Sequence, residues 1–264
     1  TDSYYQAKET GPATFNSAVF SVSAEFTAVT PPVPTQEGRI LEERHYDLNG
    51  STLLQTVNNT WITVARGVFL ATADVTLGSK KKRQSFTYDS FGNTLTNTFY
   101  DWVASGSTPN VVLKTISNTY ETSANYTNPP RHLTGLVKSR QIAGGGITST
   151  VNFYYDETSP ALLDRGAVIG HDNSSHGGAM YIRGNATRSE QIATFPGRAN
   201  RTTTVKNEFD TLGNVVKFVS PRGAYTTFAY NDSSGVAGCV PPSASYAFVS
   251  GISNPVSHAW AYKY

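Results

Sequence analysis

The chain of 264 residues is nearly without sulfur, with one cysteine, Cys239, and one methionine. A single thiol excludes an internal disulfide framework, so stability has to come from packed secondary structure. Cys239 reads as a small buried apolar residue, with pairing between chains as the alternative. Charge is scarce as well. Asp, Glu, Lys and Arg make up 15% of the residues, against about 25% in an average domain. A formal charge of +2 is too small to make nucleic acid the expected partner. No apolar stretch is long enough to span a bilayer as a helix, and no segment of useful length has an amphipathic helical period. The chain opens Thr1-Asp2-Ser3, without Met or a signal peptide, as a mature or excised segment does. The Gly-x-Ser-x-Gly elbow and the phosphate-cradling Gly-x-x-x-x-Gly-Lys-Ser/Thr loop are both missing. No cofactor is expected.

What is abundant points the other way, toward strands. There are 15 tyrosines, 13 phenylalanines and 22 glycines, among many Ser, Thr and Asn residues. That aromatic and β-branched content excludes low-complexity disorder and suits an extracellular or cell-surface β protein. The clearest hairpin runs from Val215 to Ala229, two period-two stretches around the turn Pro221-Arg222-Gly223. It is opened by Phe209-Asp210-Thr211-Leu212-Gly213-Asn214 and closed by Tyr230-Asn231. The same signature recurs in full at Tyr88-Asp89-Ser90-Phe91-Gly92-Asn93. At Tyr46-Asp47-Leu48-Asn49-Gly50 the Asn and Gly are exchanged. Tyr100-Asp101 and Tyr120-Glu121 carry the aromatic-acid pair alone. Tyr155-Asp156 and Arg183-Gly184-Asn185 each hold half of the unit.

An aromatic-Asp pair, a Gly-Asn, a strand, a Gly turn and a second strand resemble the unit of the RHS or YD-repeat family over roughly residues 40 to 232. The resemblance implies an all-β fold, a curved or spiralling antiparallel sheet of successive β-hairpins. In that family such strips wind into hollow shells, sometimes around a toxic cargo. The family's self-cleaving aspartyl site uses Asp-Pro-x-Gly-type motifs. No Asp-Pro dipeptide occurs here, so that activity is not carried over. In stacked hairpins, Tyr46, Tyr88, Tyr100, Tyr120, Tyr155, Phe209 and Tyr230 are expected to form an aromatic ladder.

Three regions are expected. Residues 1–37 form an opening strand and a Pro-rich connector at Thr30-Pro31-Pro32-Val33-Pro34, residues 38–232 the hairpin array, and residues 233–264 an irregular end closing in a strand. Residues 156–180 lack a clean period and read as a long excursion loop. Ala179–Arg183 reads as a return to strand, and Lys80-Lys81-Lys82-Arg83 as a solvated hairpin tip.

Candidates for chemistry are few. His171, Asp172 and His176 are competent metal ligands. Their spacing matches no standard zinc pattern, and a polar loop bonding its own backbone is the competing reading. A glycosidase would need two facing acids, from among Glu42, Glu43, Asp47, Asp74, Asp89, Asp101, Asp156, Asp172 and Asp210. Most of these follow an aromatic at a strand end, where an Asp bonds turn amides. The expected function is therefore non-enzymatic: an extracellular structural module forming part of a shell, tube or filament, partnered by copies of itself through exposed strand edges. The alternatives are a glycan-binding or adhesive module using Trp61, Trp102 or Trp260, and an enzyme acting on polysaccharide.

Overall fold

The computed structural model describes residues 2–5, 38–48, 50–129, 131–231 and 244–263. They form an all-β chain, apart from two single helical turns, α1 (Ala124–Thr127) and α2 (Asn173–His176). The strands are β1 (Asp2–Tyr5), β2 (Ile40–Tyr46), β3 (Leu53–Val64), β4 (Gly67–Leu77), β5 (Lys80–Tyr88), β6 (Thr94–Tyr100), β7 (Val103–Ala104) and β8 (Val112–Tyr120). They continue as β9 (Val137–Gly144), β10 (Ile147–Tyr155), β11 (Ala186–Thr194), β12 (Arg201–Phe209), β13 (Val215–Val219), β14 (Tyr225–Ala229), β15 (Gly251–Ser253) and β16 (Ala259–Ala261). Hydrogen bonding follows chain order throughout, with only the short β7 set aside on β5. Every described strand pair is antiparallel, and short turns join β3 to β4, β4 to β5, β9 to β10 and β13 to β14 as hairpins. The connector expected within residues 6–37 and the loop expected at 232–243, with Cys239, lie outside the described residues.

Two compact units divide the chain, Thr1–Asn118 with Ile142–Gly145, and Thr119–Gln141 with Gly146–Tyr264. In the first, the long apolar run from Trp61 to Leu77 is not one strand. It turns at Ala65-Arg66, pairing Val64 with Gly67 and Asn58 with Asp74. The lysine run is not the tip of its hairpin either. Gly78-Ser79 makes the turn, and Lys80–Arg83 begin β5, with Arg83 opposite Asp74. Arg83 donates from Nε and Nη2 to the two Asp74 oxygens at 2.6 and 2.7 Å. A fork of this kind is the geometry in which Arg holds a carboxylate best. In the second unit Ala179–Arg183 is irregular, and β11 starts only at Ala186. The expected last strand is two short ones, β15 and β16, paired Ile252 to Trp260.

The unit that recurs is a five-residue turn. Asp89 N–H donates to Asn93 O at 3.0 Å, and Gly92 N–H to Asp89 O at 3.1 Å. Asp89 Oδ1 accepts the N–H groups of Phe91 and Asn93, both at 2.9 Å, while Asn93 Nδ2 donates to Oδ2 at 2.9 Å. Asp210 repeats every one of these bonds with Gly213, Leu212 and Asn214, at 2.8–3.1 Å. The strand register shifts immediately before the aromatic in both, between Thr87 and Tyr88 and between Glu208 and Phe209. This is a type I turn closed by a left-handed residue and a bulge. The left-handed residue is Gly92 at φ 86° and Gly213 at φ 87°, a region costly for a residue with a Cβ.

These two glycines differ in their surroundings. A Cβ on Gly213 meets nothing within 4 Å, whereas one on Gly92 would stand 2.4 Å from Phe69 Cζ. The Phe69 ring is itself held against Tyr88, with centroids 4.9 Å apart. Gly213→Ala should therefore cost only the conformational term, about 1–2 kcal/mol. Gly92→Ala should cost that plus the displacement of a packed ring, about 1–3 kcal/mol more. Urea unfolding of the two variants checks the order, and equal losses would contradict it.

Candidate functional site

The loops after β10, β12 and β14 lie at the same end of the second unit, because alternate strands of an antiparallel order run the same way. The first of them joins two half-motifs. Asp156 N–H donates to Asn185 O at 2.9 Å. Asp156 Oδ2 accepts the N–H groups of Arg183 at 2.9 Å and Gly184 at 2.7 Å, and Oδ1 accepts Asn185 N–H at 3.0 Å. Gly184 takes φ 80°, and the register shifts between Tyr154 and Tyr155. Tyr155-Asp156 and Gly184-Asn185 are thus one repeat turn, opened between Asp and Gly by the excursion. Two other loops close the same way at the backbone. Asp101 N–H bonds Val111 O and Glu121 N–H bonds Leu136 O, both at 2.8 Å. Asp47 uses Thr52 O at 2.9 Å, in a turn one residue longer.

The excursion packs on the next turn and creates the best-buried polar cluster. Asp210 has no exposed surface, and Thr211 is 2% exposed. Arg165 Nε donates to Asp210 Oδ2 at 2.9 Å and Arg165 N–H to Thr211 Oγ1 at 3.1 Å, while Leu163 N–H donates to Phe209 O and Thr211 N–H to Leu163 O. Arg183 donates to the carbonyls of Met180, Thr211 and Gly177 at 2.6–2.7 Å. Burial lowers its pKa from the usual guanidinium range. The guanidinium of Arg165 also lies over the ring of Tyr246, 4.6 Å from its centroid. Each arginine reaches residues that are far away in sequence, so no local pattern announced them.

The repeat tyrosines act through their hydroxyls. Tyr88, Tyr155 and Tyr230 donate to the carbonyls of Leu70, Val137 and Val215, at 2.8, 2.7 and 3.1 Å. Tyr88 meets the rings of Phe69 and Phe86, and Tyr155 that of Tyr126, none of them a repeat position. Repeat aromatics such as Tyr155 and Phe209 fall on the alternate strands β10 and β12, about 9.5 Å apart. Tyr46 pairs with Leu53 across the first hairpin.

His171, Asp172 and His176 form a local cap. Asp172 Oδ1 accepts Ser175 N–H at 3.0 Å and the Ser174 hydroxyl at 2.6 Å. These bonds hold its pKa well below the usual carboxylate range. His171 Nδ1 meets Asn173 Oδ1 at 2.9 Å. Among the described residues no cluster of three His, Cys, Asp or Glu could hold a metal ion.

Below the excursion lies a cleft of about 310 Å³, bordered by residues 156–162, Tyr181, Asn185, Arg188 and Lys206–Phe209. Glu157 accepts from Arg188 Nη2 at 2.8 Å, which pulls the carboxyl's pKa below its ordinary value. Arg188 also pairs with Glu190 and covers the Tyr154 ring, 3.5 Å from its centroid. Glu208 is bonded to Lys217 Nζ at 2.9 Å. Held charged, Glu157 is unsuited to donate a proton, and the cleft is better equipped for hydrogen bonding than for acid catalysis. Of the three tryptophans, Trp61 donates Nε1–H to Ile40 O at 3.1 Å, Trp102 lies under Lys82 Nζ at 5.0 Å, and Trp260 is 47% exposed on β16. No protein-family model matches the chain, and no curated protein matches it.

One turn was missed in the sequence. Asn254 N–H bonds His258 O at 2.9 Å, and its Oδ1 accepts Val256 and His258 N–H at 3.1 and 2.9 Å. Ser257, at φ 64°, occupies the glycine position. Asn for Asp and Ser for Gly hid the pattern.

Burial raises the pKa of Tyr88, Tyr126, Tyr155 and Tyr230 above the phenolic value, most for Tyr126, where the Asp156 charge adds to it. A folded-state pKa above the unfolded one means stability that is complete below about pH 10. It is lost as pH rises through the folded values. Phenolate absorbance from these residues should appear together with loss of the β circular-dichroism signal. Tyr126→Phe should weaken that coupling. Ionisation of all tyrosines at the ordinary pKa with the sheet intact would contradict the burial.

Proposed function

We propose that this chain is a structural β-sheet module, completed in its setting by more strands of the same kind from a longer array or from other copies. The observation that carries this reading is the poverty of the core. Among the described residues, Val68, Tyr126, Val168 and Tyr230 are the buried apolar side chains. A chain of this size folding alone around one core would bury far more. Meanwhile Phe218, Tyr225, Trp260 and Tyr262 are 36–53% exposed on or beside β13, β14 and β16, and exposed apolar surface of this kind marks contact with a partner. Among the described residues β1 and β16 each have one strand neighbour. Open edges of this kind are templates for further pairing unless something blunts them.

The RHS/YD resemblance supports the same reading, because its turn signature coincides with the two turns at Asp89 and Asp210 and with the opened one at Asp156. A shell, tube or filament follows if each copy or unit presents one edge to the other edge of the next. An extracellular or surface setting agrees with the low charge and the hydroxyl- and amide-rich strands. Electron microscopy and sedimentation velocity of the purified chain test the proposal. Walls or filaments that grow with concentration, and that Trp260→Lys on β16 suppresses, are expected. A compact monomer at every concentration would overturn it.

A further inference from the structure

We infer that the cleft between the excursion and strands β11 and β12 binds a neutral saccharide, a function independent of assembly. The first observation is a consequence of the opened turn. In the two intact turns the asparagine amide is used up, Asn93 Nδ2 on Asp89 at 2.9 Å and Asn214 Nδ2 on Asp210 at 3.1 Å. In the opened turn Asp156 Oδ2 is taken by the backbone of Arg183 and Gly184 instead. Asn185 Nδ2 is left buried with no hydrogen-bond acceptor in the protein, and Asn185 borders the cleft. A buried amide donor without a partner is rare and costly, and it calls for an acceptor from outside the chain.

The second observation is the balance of charge. Glu157 lies 2.8 Å from Arg188, which it shares with Glu190, and Glu208 lies 2.9 Å from Lys217. Lys206 adds a cation at the exposed rim. An anionic ligand would face the carboxylates of Asp156, Glu157 and Glu208, and a cationic one the Arg188 guanidinium and the Lys206 and Lys217 ammoniums. A polyol meets no such penalty, since its hydroxyls both donate and accept, and fixed Glu-Arg pairs are good partners for them. The third is an apolar platform. Tyr181, 49% exposed, and Pro160, Leu162 and Phe209 border the same space, as the C–H face of a sugar ring requires. A volume of about 310 Å³ lies at the small end of ligand sites, about 300–1,000 Å³, which suits one or two sugar rings.

The test is titration of the full chain with glucose, galactose, mannose, N-acetylglucosamine and cellobiose, followed by amide NMR. At least one of them should give saturable shifts centred on Asn185, Tyr181 and Arg188, with a dissociation constant up to roughly the millimolar range. Tyr181→Ala should weaken that binding roughly three- to tenfold, and Ile62→Ala, at an exposed position on β3 of the first unit, should leave it unchanged. Absence of saturable shifts with every sugar would overturn the inference. So would shifts unaltered by Tyr181→Ala, or a salt-sensitive preference for glucuronic acid over glucose. Assembly in the microscope is a separate readout, so failure of either proposal leaves the other standing.

Discussion

A carboxylate that gathers the amides of its own turn is the interaction on which the described sheet depends. In a hairpin meander a slip of one residue would exchange the two faces of a strand. Register here is pinned at the strand ends. Asp89 and Asp210 each hold two amides and an asparagine side chain. The bulge before each aromatic then adds the residue that the turn needs. The tyrosine hydroxyl closes the arrangement by bonding a carbonyl of another strand, from Tyr155 to Val137 and from Tyr230 to Val215. Caps of this kind act locally and can be repeated without limit, as a strip of hairpins requires.

Because the closure lies in the residue after the aromatic and the residue before the next strand, the loop between them is free to grow. Asp156 and Asn185 close a loop six times as long as that of Asp89 and Asn93 with the same bond. Chain entropy charges only about 1.6 kcal/mol for that difference. The inserted segment then supplies Arg165 to Asp210 and Arg183 to the carbonyls around Thr211. A turn that is partly solvent-exposed at Asp89 is, at Asp210 and Thr211, the most buried polar site among the described residues. Insertion, burial and the cleft beside it are one structural event.

Much of this was legible in the residues. Period-two patterns between Gly-Asn turns located most hairpins, since strand alternation and positive φ each leave a direct mark. The turn at Ala65-Arg66 was hidden because neither residue is a turn former and both flanking runs are apolar. The turn at Asn254 was hidden because Ser257 stands where glycine was sought. The two halves at Asp156 and Gly184 were visible, but their union was not. Sequence distance conceals which Gly-Asn belongs to which Asp, and only the shared carboxylate joins them. Arg165, Arg183 and the unpartnered Asn185 amide follow from that union, so the site was beyond reach while the turn was divided. The histidine loop went the other way. A metal-like cluster of side chains is a local cap, in which Asp172 Oδ1 accepts from both Ser174 and Ser175.

The most direct test of the opened-turn account is to close the turn. Residues 157–183 would be replaced by the Ser-Phe pair that stands between Asp89 and Gly92, making Asp156-Ser-Phe-Gly184-Asn185. Amide hydrogen exchange would then be followed across β10 and β11. The account predicts that Thr148–Tyr155 and Ala186–Thr194 keep their protection and their pairing. The Gly184 and Asn185 amides should be protected too, until Asp156→Ala is added. Free exchange throughout both strands in the closed-turn chain would show that Asp156 and Gly184-Asn185 are not two halves of one repeat turn.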